Sequence, residues 1–174
     1  MSNSASRIKV RLIDAADQLA FLKQARLSHD LHRQWIDVPI SLRAFRTYVE
    51  ELSTENNRGF LIFRPDTQVL VGMIELRDIY YQNFRNSYVV YYGFSGHLQQ
   101  GLMTEGLGQV IRIAFGKLRL HRLEANIQPS NVASIGLARA CGFRKEGESP
   151  RFLKIRGRWR DFERWALLNE PGPR

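Results

Sequence analysis

The stretch that decides the fold is residues 88–118, YVVYYGFSGHLQQGLMTEGLGQVIRIAFGKL. Its first part, Tyr88 to Phe94, is rich in aromatic and β-branched residues and reads as a strand. From Met103 the period changes. Met103, Leu107, Val110, Ile111, Ala114 and Leu118 recur at helical spacing, which predicts an amphipathic helix starting just after Gly101. A polar loop, Ser95 to Gln100, joins the two. Such a junction binds anions, because the unpaired N–H groups of the first turn converge with the positive end of the helix dipole. Gly101 would let the backbone approach a pyrophosphate closely without a lysine. The same residues also describe an ordinary strand-to-helix turn with an incidental glycine, and the loop alone does not separate the two.

Working outward, Ile8, Val10 and Leu12 alternate with basic residues as a short strand, and Asp14 can cap a helix carrying Leu19, Phe21, Leu22 and Ala25. Ser41 can cap a second helix with Leu42, Phe45, Val49 and Leu52 on one face. Gly59 to Arg64 and Val69 to Ile79 are apolar runs separated by Pro65-Asp66-Thr67-Gln68, the signal of an antiparallel hairpin. A turn around Asn83 to Asn86 leads back to Tyr88, completing a meander. Downstream, Leu123 to Ile127 is a strand, Asn131 to Ala140 a short helix closed by Gly142, and the chain from Phe143 a hairpin turning at Arg156-Gly157-Arg158. The order β-α-α-β-β-β-α-β-α-β-β places a helical crossover between two strands of the second half. A parallel pair inside a mostly antiparallel, twisted sheet follows, and the class is α+β.

A chain of 174 residues with 44% hydrophobic residues buries enough surface for one domain, expected over 1–170 with a loose tail at 171–174. The longest apolar runs are strand-length, so no membrane span is expected and the cytoplasm is the default compartment. The lone Cys141 has no partner for an internal disulfide, and the four histidines show no metal-ligand spacing, so no metal is predicted. The net charge of +9 and pI of about 10.2 suit a polyanionic neighbour such as RNA, a ribosome or an acidic protein, and equally a solvated basic surface.

Five further motifs follow one another: Gln99-x-Gly101-Leu102-Met103-Thr104-Glu105; His121-Arg122-Leu123-Glu124-Ala125-Asn126; Asn131-x-x-Ser134; Gly142-Phe143-x-x-Glu146-Gly147; and Gly157-x-Trp159-Arg160-Asp161. In this order, over nearly the whole chain, they resemble the GNAT superfamily of N-acetyltransferases, and within it the Rim type that acetylates the N-terminal alanine of ribosomal proteins. The resemblance implies a GNAT-like sheet in which Tyr88–Phe94 and Leu123–Ile127 splay apart to hold the pantetheine arm of acetyl-CoA, the acyl donor. It implies that backbone groups of Phe94 and Ser95 pair with that arm and that Gln99, Gln100, Gly101, Leu102, Met103 and Thr104 take the pyrophosphate. Asn131 then contacts the cofactor arm, and Ser134 lies near the thiol. Read without the family, Asn131 is a helix N-cap and Ser134 a first-turn residue.

The chain departs from the family pattern at Leu98, where a polar residue is usual, and at Gln99, where the Rim type has glycine. Ala138 replaces the tyrosine that many members use to protonate the thiolate, which makes Ser134 the acid; Arg151 replaces a Rim-type carboxylate. Glu75, on the strand Val71 to Leu76, is the expected base, and read alone it is a solvent-facing strand residue or half of an ion pair. Trp35, Tyr80, Tyr81, Tyr92 and the run Arg151 to Arg160 are expected to line the acceptor groove, or else to serve packing and a solvated edge. The acceptor is expected to be a protein N-terminus attacked directly, with a small amine as the alternative, or a non-catalytic acyl-CoA- or RNA-binding module. A monomer or homodimer is expected.

Overall fold

The computed structural model describes residues 6–170; the expected tail at 171–174 lies outside them. β1 (Lys9–Leu12) leads to Asp14, whose carboxylate accepts the Ala16 N–H at 2.7 Å while Asp17 accepts the Asp14 N–H at 3.0 Å. This reciprocal cap opens a single 3-10 turn, Ala15–Asp17, before α1 (Gln18–Leu27), so the helix proper starts one turn later than the cap suggests. A four-residue helix that the periodicity does not announce, α2 (His29–His32), follows at once. Ser41 caps α3 (Leu42–Leu52), its hydroxyl accepting the Ala44 N–H at 3.3 Å. β2 (Arg58–Phe63), β3 (Leu70–Tyr80) and β4 (Asn86–Gly93) form the meander. α4 (Leu102–Arg112) continues as a π-helical turn, Ile113–Lys117. Then come β5 (Arg122–Ile127), α5 (Val132–Ala140) and the hairpin of β6 (Arg144–Ile155) with β7 (Arg158–Leu168).

Among the described residues seven strands lie in one sheet in the order β1-β2-β3-β4-β5-β7-β6, and of these neighbours only β4 and β5 run parallel. Their pairing is brief: Asn86 with Arg122, Ser87 with Leu123, and Tyr88 with Glu124. Beyond Tyr88 the two strands run on to Gly93 and Ile127 without pairing to each other, which opens a V at their C-terminal ends.

Each face of the sheet has its own core. Leu107 and Val110 of α4, with Ile135 and Ala138 of α5, pack on Ile62, Ile74, Val89 and Leu123 on one face. Phe21 of α1 and Phe45 and Tyr48 of α3 pack on Leu61, Met73 and Tyr92 on the other. Missing side chains bring α4 close to the sheet. A Cβ at Gly72 would collide with Met103 Sδ, one at Gly93 would lie 3.4 Å from Met103 Cγ, and one at Gly106 would collide with Ile62. Among the described residues no helix is long and apolar enough to cross a membrane.

Candidate active site

The Glu105 N–H is the first in α4 to find an acceptor in its own helix, Gly101 O at 3.1 Å. The N–H groups of Leu102, Met103 and Thr104 precede it and point out of the N-terminus. Gly101 sits at φ 73° and Gly96 at φ 85°, and between them Gln99 adopts φ 58°. Gln99 therefore keeps the left-handed turn that a glycine would make freely, at a cost of roughly 1–2 kcal/mol. Gln100 ties the loop to itself by donating to Gly96 O at 3.1 Å. Leu102 is buried, and the Met103 side chain fills the space over Gly72 and Gly93. Both residues thus offer a ligand their backbone amides only. Arg7, which sequence reasoning missed, pairs with Glu105 and lies beside Gly101, so a second positive group stands at this helix end.

The walls of the V differ in one respect from what the resemblance implies. The Phe94 N–H donates to Val71 O at 2.7 Å on β3, and the Ser95 N–H to Ser28 Oγ at 2.8 Å. Backbone groups alternate in direction along a strand, so the residues of β4 that face the gap are Tyr91 and Gly93. The Tyr91 hydroxyl donates to Ser134 O at 2.7 Å and ties the β4 wall to α5. Asn131 caps α5 by accepting the Ser134 N–H at 3.2 Å, while the Ser134 hydroxyl makes no hydrogen bond among the described residues. Gln128, just past the end of β5, is buried with Nε2 unpartnered among the described residues. The open strand edges, the outward amides of α4 and this orphaned donor suit a ligand with an amide arm and a phosphate end.

Glu75 lies on the α1/α3 face of β3 and is 3% exposed. Tyr48 donates to one carboxylate oxygen and Arg77 Nε to the other at 2.6 Å, and the Tyr48 and Tyr92 hydroxyls are 2.7 Å apart. Burial raises the Glu75 pKa while Arg77 pulls it back, and burial holds both tyrosines well above the ordinary phenol range. The ion pair anticipated as one reading of Glu75 is thus present, inside a buried relay that ends at Tyr92.

The Tyr92 ring meets that of His32, with centroids 5.1 Å apart. His32 Nε2 lies 2.8 Å from Gly93 O, so this nitrogen carries the proton, and Nδ1 is buried without a partner among the described residues. Burial lowers the His32 pKa. Beside it a cavity of about 190 Å³ is lined by Ala25, His29, His32, Arg33, Asp37 and Arg156 among others. Sequence reasoning missed His32, Tyr48 and Arg77, because nothing in their spacing marks residues that only the sheet brings together.

Three expected acceptor residues stand elsewhere; Tyr81 follows Tyr80 past the end of β3, its hydroxyl 3.4 Å from Glu55 O. Tyr80 ends β3 opposite Asn86, at the closed end of the V, because β3 runs antiparallel to β4. It meets Phe84 edge to face, with ring centroids 6.2 Å apart. Trp35 is half-buried between α2 and α3 and does not line the cavity. Burial raises the Cys141 pKa to about 11, which keeps its thiol protonated at neutral pH.

A sheet that parts into a V beside an amide-lined helix end offers an extended ligand with an anionic end a place to lie. The family model "Acetyltransferase (GNAT) domain" matches residues 7–144, so the chain belongs to the GNAT family and is an acyl-CoA-dependent N-acetyltransferase. It is 34% identical over 122 residues to a Bacillus subtilis protein named Probable N-acetyltransferase YjcK, covering 70% of this chain and 67% of that one. It is 33% identical over 108 residues to the [Ribosomal protein uS5]-alanine N-acetyltransferase of Escherichia coli. That match covers 62% of this chain and 56% of the relative's length. Among solved structures, Mycobacterium smegmatis RimJ in complex with CoA-disulfide superposes with a TM-score of 0.88 at 22% identity, covering 96% of this chain and 84% of that one. At that identity the likeness concerns the fold.

Proposed function

We propose that this enzyme transfers the acetyl group of acetyl-CoA to the N-terminal amine of a protein, with a ribosomal protein as the leading acceptor. The observation that carries the proposal is the V between β4 and β5, which has the amides of α4 at one end and the His32 cavity beside Gly93. Acetyl-CoA would bring a thioester carbonyl into this gap. The outward amides of Leu102, Met103 and Thr104, with Gln99, Gln100 and Gly101, would hold its phosphates, and Asn131 would border its arm. An N–H of Tyr91 or Gly93 faces the space where negative charge develops on the carbonyl oxygen. Ser134, its hydroxyl uncommitted, is the proton donor for the departing sulfur.

The base selects the acceptor. Glu75 is held by Tyr48 and Arg77, so it can receive a proton only through Tyr48 and Tyr92, a weak route. An acceptor that is partly neutral already suits such a site. A peptide α-amine, with pKa about 7.7–8.0, meets that condition, whereas a lysine amine near about 10.4 does not. Direct attack then needs orientation more than deprotonation. A net charge of +9 would favour encounter with a ribosome.

Release of free thiol from acetyl-CoA tests the proposal with three acceptors: a peptide with a free N-terminal alanine, the same peptide blocked at its N-terminus but carrying lysine, and a small polyamine. Turnover of the first alone is expected. Turnover of the polyamine without the peptide would assign the enzyme to small amines. No acyl-CoA binding at all would sink the catalytic reading.

A further inference from the structure

The outer half of the β6–β7 hairpin carries a dense run of positive charge. Residues 151–160, RFLKIRGRWR, hold Arg151, Lys154, Arg156, Arg158 and Arg160 and no acid. None of these five forms an ion pair among the described residues, although Arg122, Lys145, Arg77 and Arg11 elsewhere all do. Arg158 and Arg160 are exposed, as are Leu153 and Trp159. Five like charges gathered on one hairpin repel one another, so the fold itself gains nothing from the cluster.

Strand alternation decides which way they point. Trp165 of β7 lies in the core under α5, and Arg139 of α5 stacks over its ring. The extra residues of the irregularity between Ser149 and Leu153 lie on β6, so β7 keeps its alternation, and the even-numbered Arg158, Arg160 and Arg164 belong to the opposite face, that of α1 and α3, where the His32 cavity lies. Leu153 and Ile155 share that face, opposite Arg160 and Arg158. At the tip, Arg156 lines the cavity itself. Of the neighbouring acids, Glu124 and Glu146 are taken by Arg122 and Glu148 and Glu163 by Lys145; Asp161 accepts the Arg151 backbone N–H, and Asp37 lines the cavity with Arg156, neither forming an ion pair with the row among the described residues.

We infer that the acceptor-facing arginines Arg158 and Arg160, with Arg156 at the cavity rim, bind carboxylates of the acceptor chain, so that the preferred substrate is a polypeptide with acidic residues shortly after its free N-terminus. Arg158 and Arg160 are two residues apart on a strand, roughly 6.7 Å, which is also the spacing of alternate side chains on an extended peptide. A chain whose first residue reaches the cavity passes Arg156 before it meets this row. Planar guanidinium groups grip carboxylates in pairs of hydrogen bonds, and Leu153 and Ile155 supply apolar contact between them. The inference rests on the reading of the enzyme as a protein N-terminal acetyltransferase, and it names the class of chain that the enzyme selects.

The test uses the full-length protein, acetyl-CoA and octapeptides that share their first three residues. Positions four, six and eight carry glutamate in one peptide, glutamine in the second and lysine in the third. The glutamate peptide is expected to show a KM about tenfold below that of the glutamine peptide, with the gap closing in high salt. The charge-reversed variant R158E/R160E should invert the ranking in favour of lysine, and R158Q/R160Q should abolish it. Thermal midpoints close to wild type would show that both variants are folded. Equal KM values for the three peptides, all of them turned over, would overturn the inference while leaving N-terminal acetylation standing. No turnover of any peptide, with turnover of small amines, would instead remove the reading beneath it. Equal KM values together with tight retention of a single-stranded RNA oligonucleotide that R158E/R160E loses would make the hairpin an RNA surface and overturn the inference as well.

Discussion

Replacing Gly72 by alanine drives a methyl group into Met103 Sδ and to within 2.6 Å of Tyr92 O. The sulfur ends a flexible side chain and can move, but the carbonyl belongs to the β3–β4 ladder and cannot. Overpacking of this kind costs about 1–3 kcal/mol, and the stiffer unfolded chain returns about 0.4–1 kcal/mol of it. The expected net loss is about 1–2 kcal/mol, or roughly 2–8 °C in thermal midpoint for a domain of this size. Met103→Ala alone removes buried atoms and should cost about 2–3 kcal/mol. If the two residues meet as described, the double variant is more stable than the sum of the single losses by about 1 kcal/mol, because alanine at 72 then fills part of the space left at 103. Urea titration of the four proteins measures this. The first turn of α4 rests on the same contact, so Gly72→Ala should also weaken CoA binding severalfold by calorimetry. Additive losses within about 0.5 kcal/mol, or unchanged CoA affinity, would refute the packing argument.

Gly101→Val places a β-branched residue at φ 73° with its Cβ 3.4 Å from Arg7, and calorimetry should show a larger loss of CoA affinity than any loss of stability. Glu75→Gln keeps the shape of the relay but not its charge. In the wild type, activity should rise as pH passes upward through the raised pKa of Glu75, and this limb of the kcat/KM profile should be missing in the variant. His32 has a folded pKa below its ordinary 6.5, so its neutral form is the one that folding favours. The stability tied to it is present above the unfolded pKa and is lost as pH falls through the folded one. His32→Gln, which can still donate to Gly93 O, should show a smaller drop in thermal midpoint between pH 7 and pH 5 than the wild type, and an equal drop would remove His32 from the account. Tyr91→Phe loses the bond to Ser134 O and should cost about 1 kcal/mol by denaturant titration, with a rise in KM for acetyl-CoA.

Apart from one short helix, the element order was legible because each longer element carries its own local signal. Asp14 and Ser41 cap, Pro65 to Gln68 turns, and the period of Met103 to Leu118 is helical. Asn131 as the cap of α5 was legible for the same reason. The start of α1 slipped by a turn because a 3-10 turn uses the same cap as an α-helix, and α2 was invisible because four residues are too few to show a period. Which backbone groups face the V depends on strand register, and register is a pairwise property that no single strand encodes. Hence Phe94 and Ser95 were expected at the gap while their amides turn to Val71 and Ser28. Tyr80 was misplaced for a related reason, since an aromatic next to a strand says nothing about which end of the sheet it occupies. The network of Glu75, Tyr48 and Tyr92 joins residues far apart in sequence, so the sequence could offer the carboxylate but not its partners.

Three residue pairs are all that join β4 to β5, so the sheet consists of two leaves sharing a short spine. A ligand lying between the leaves occupies the place of a missing strand, and it finds that place in the folded chain alone. Mass action then links survival of the protein to supply of its donor: at a free concentration about a hundred times the dissociation constant, binding adds about 2.7 kcal/mol to the apparent stability. In a cell short of acyl-CoA that increment is absent and a larger share of the chains is unfolded at any moment, so proteolysis would lower the abundance of the protein without any change in the rate at which it is made.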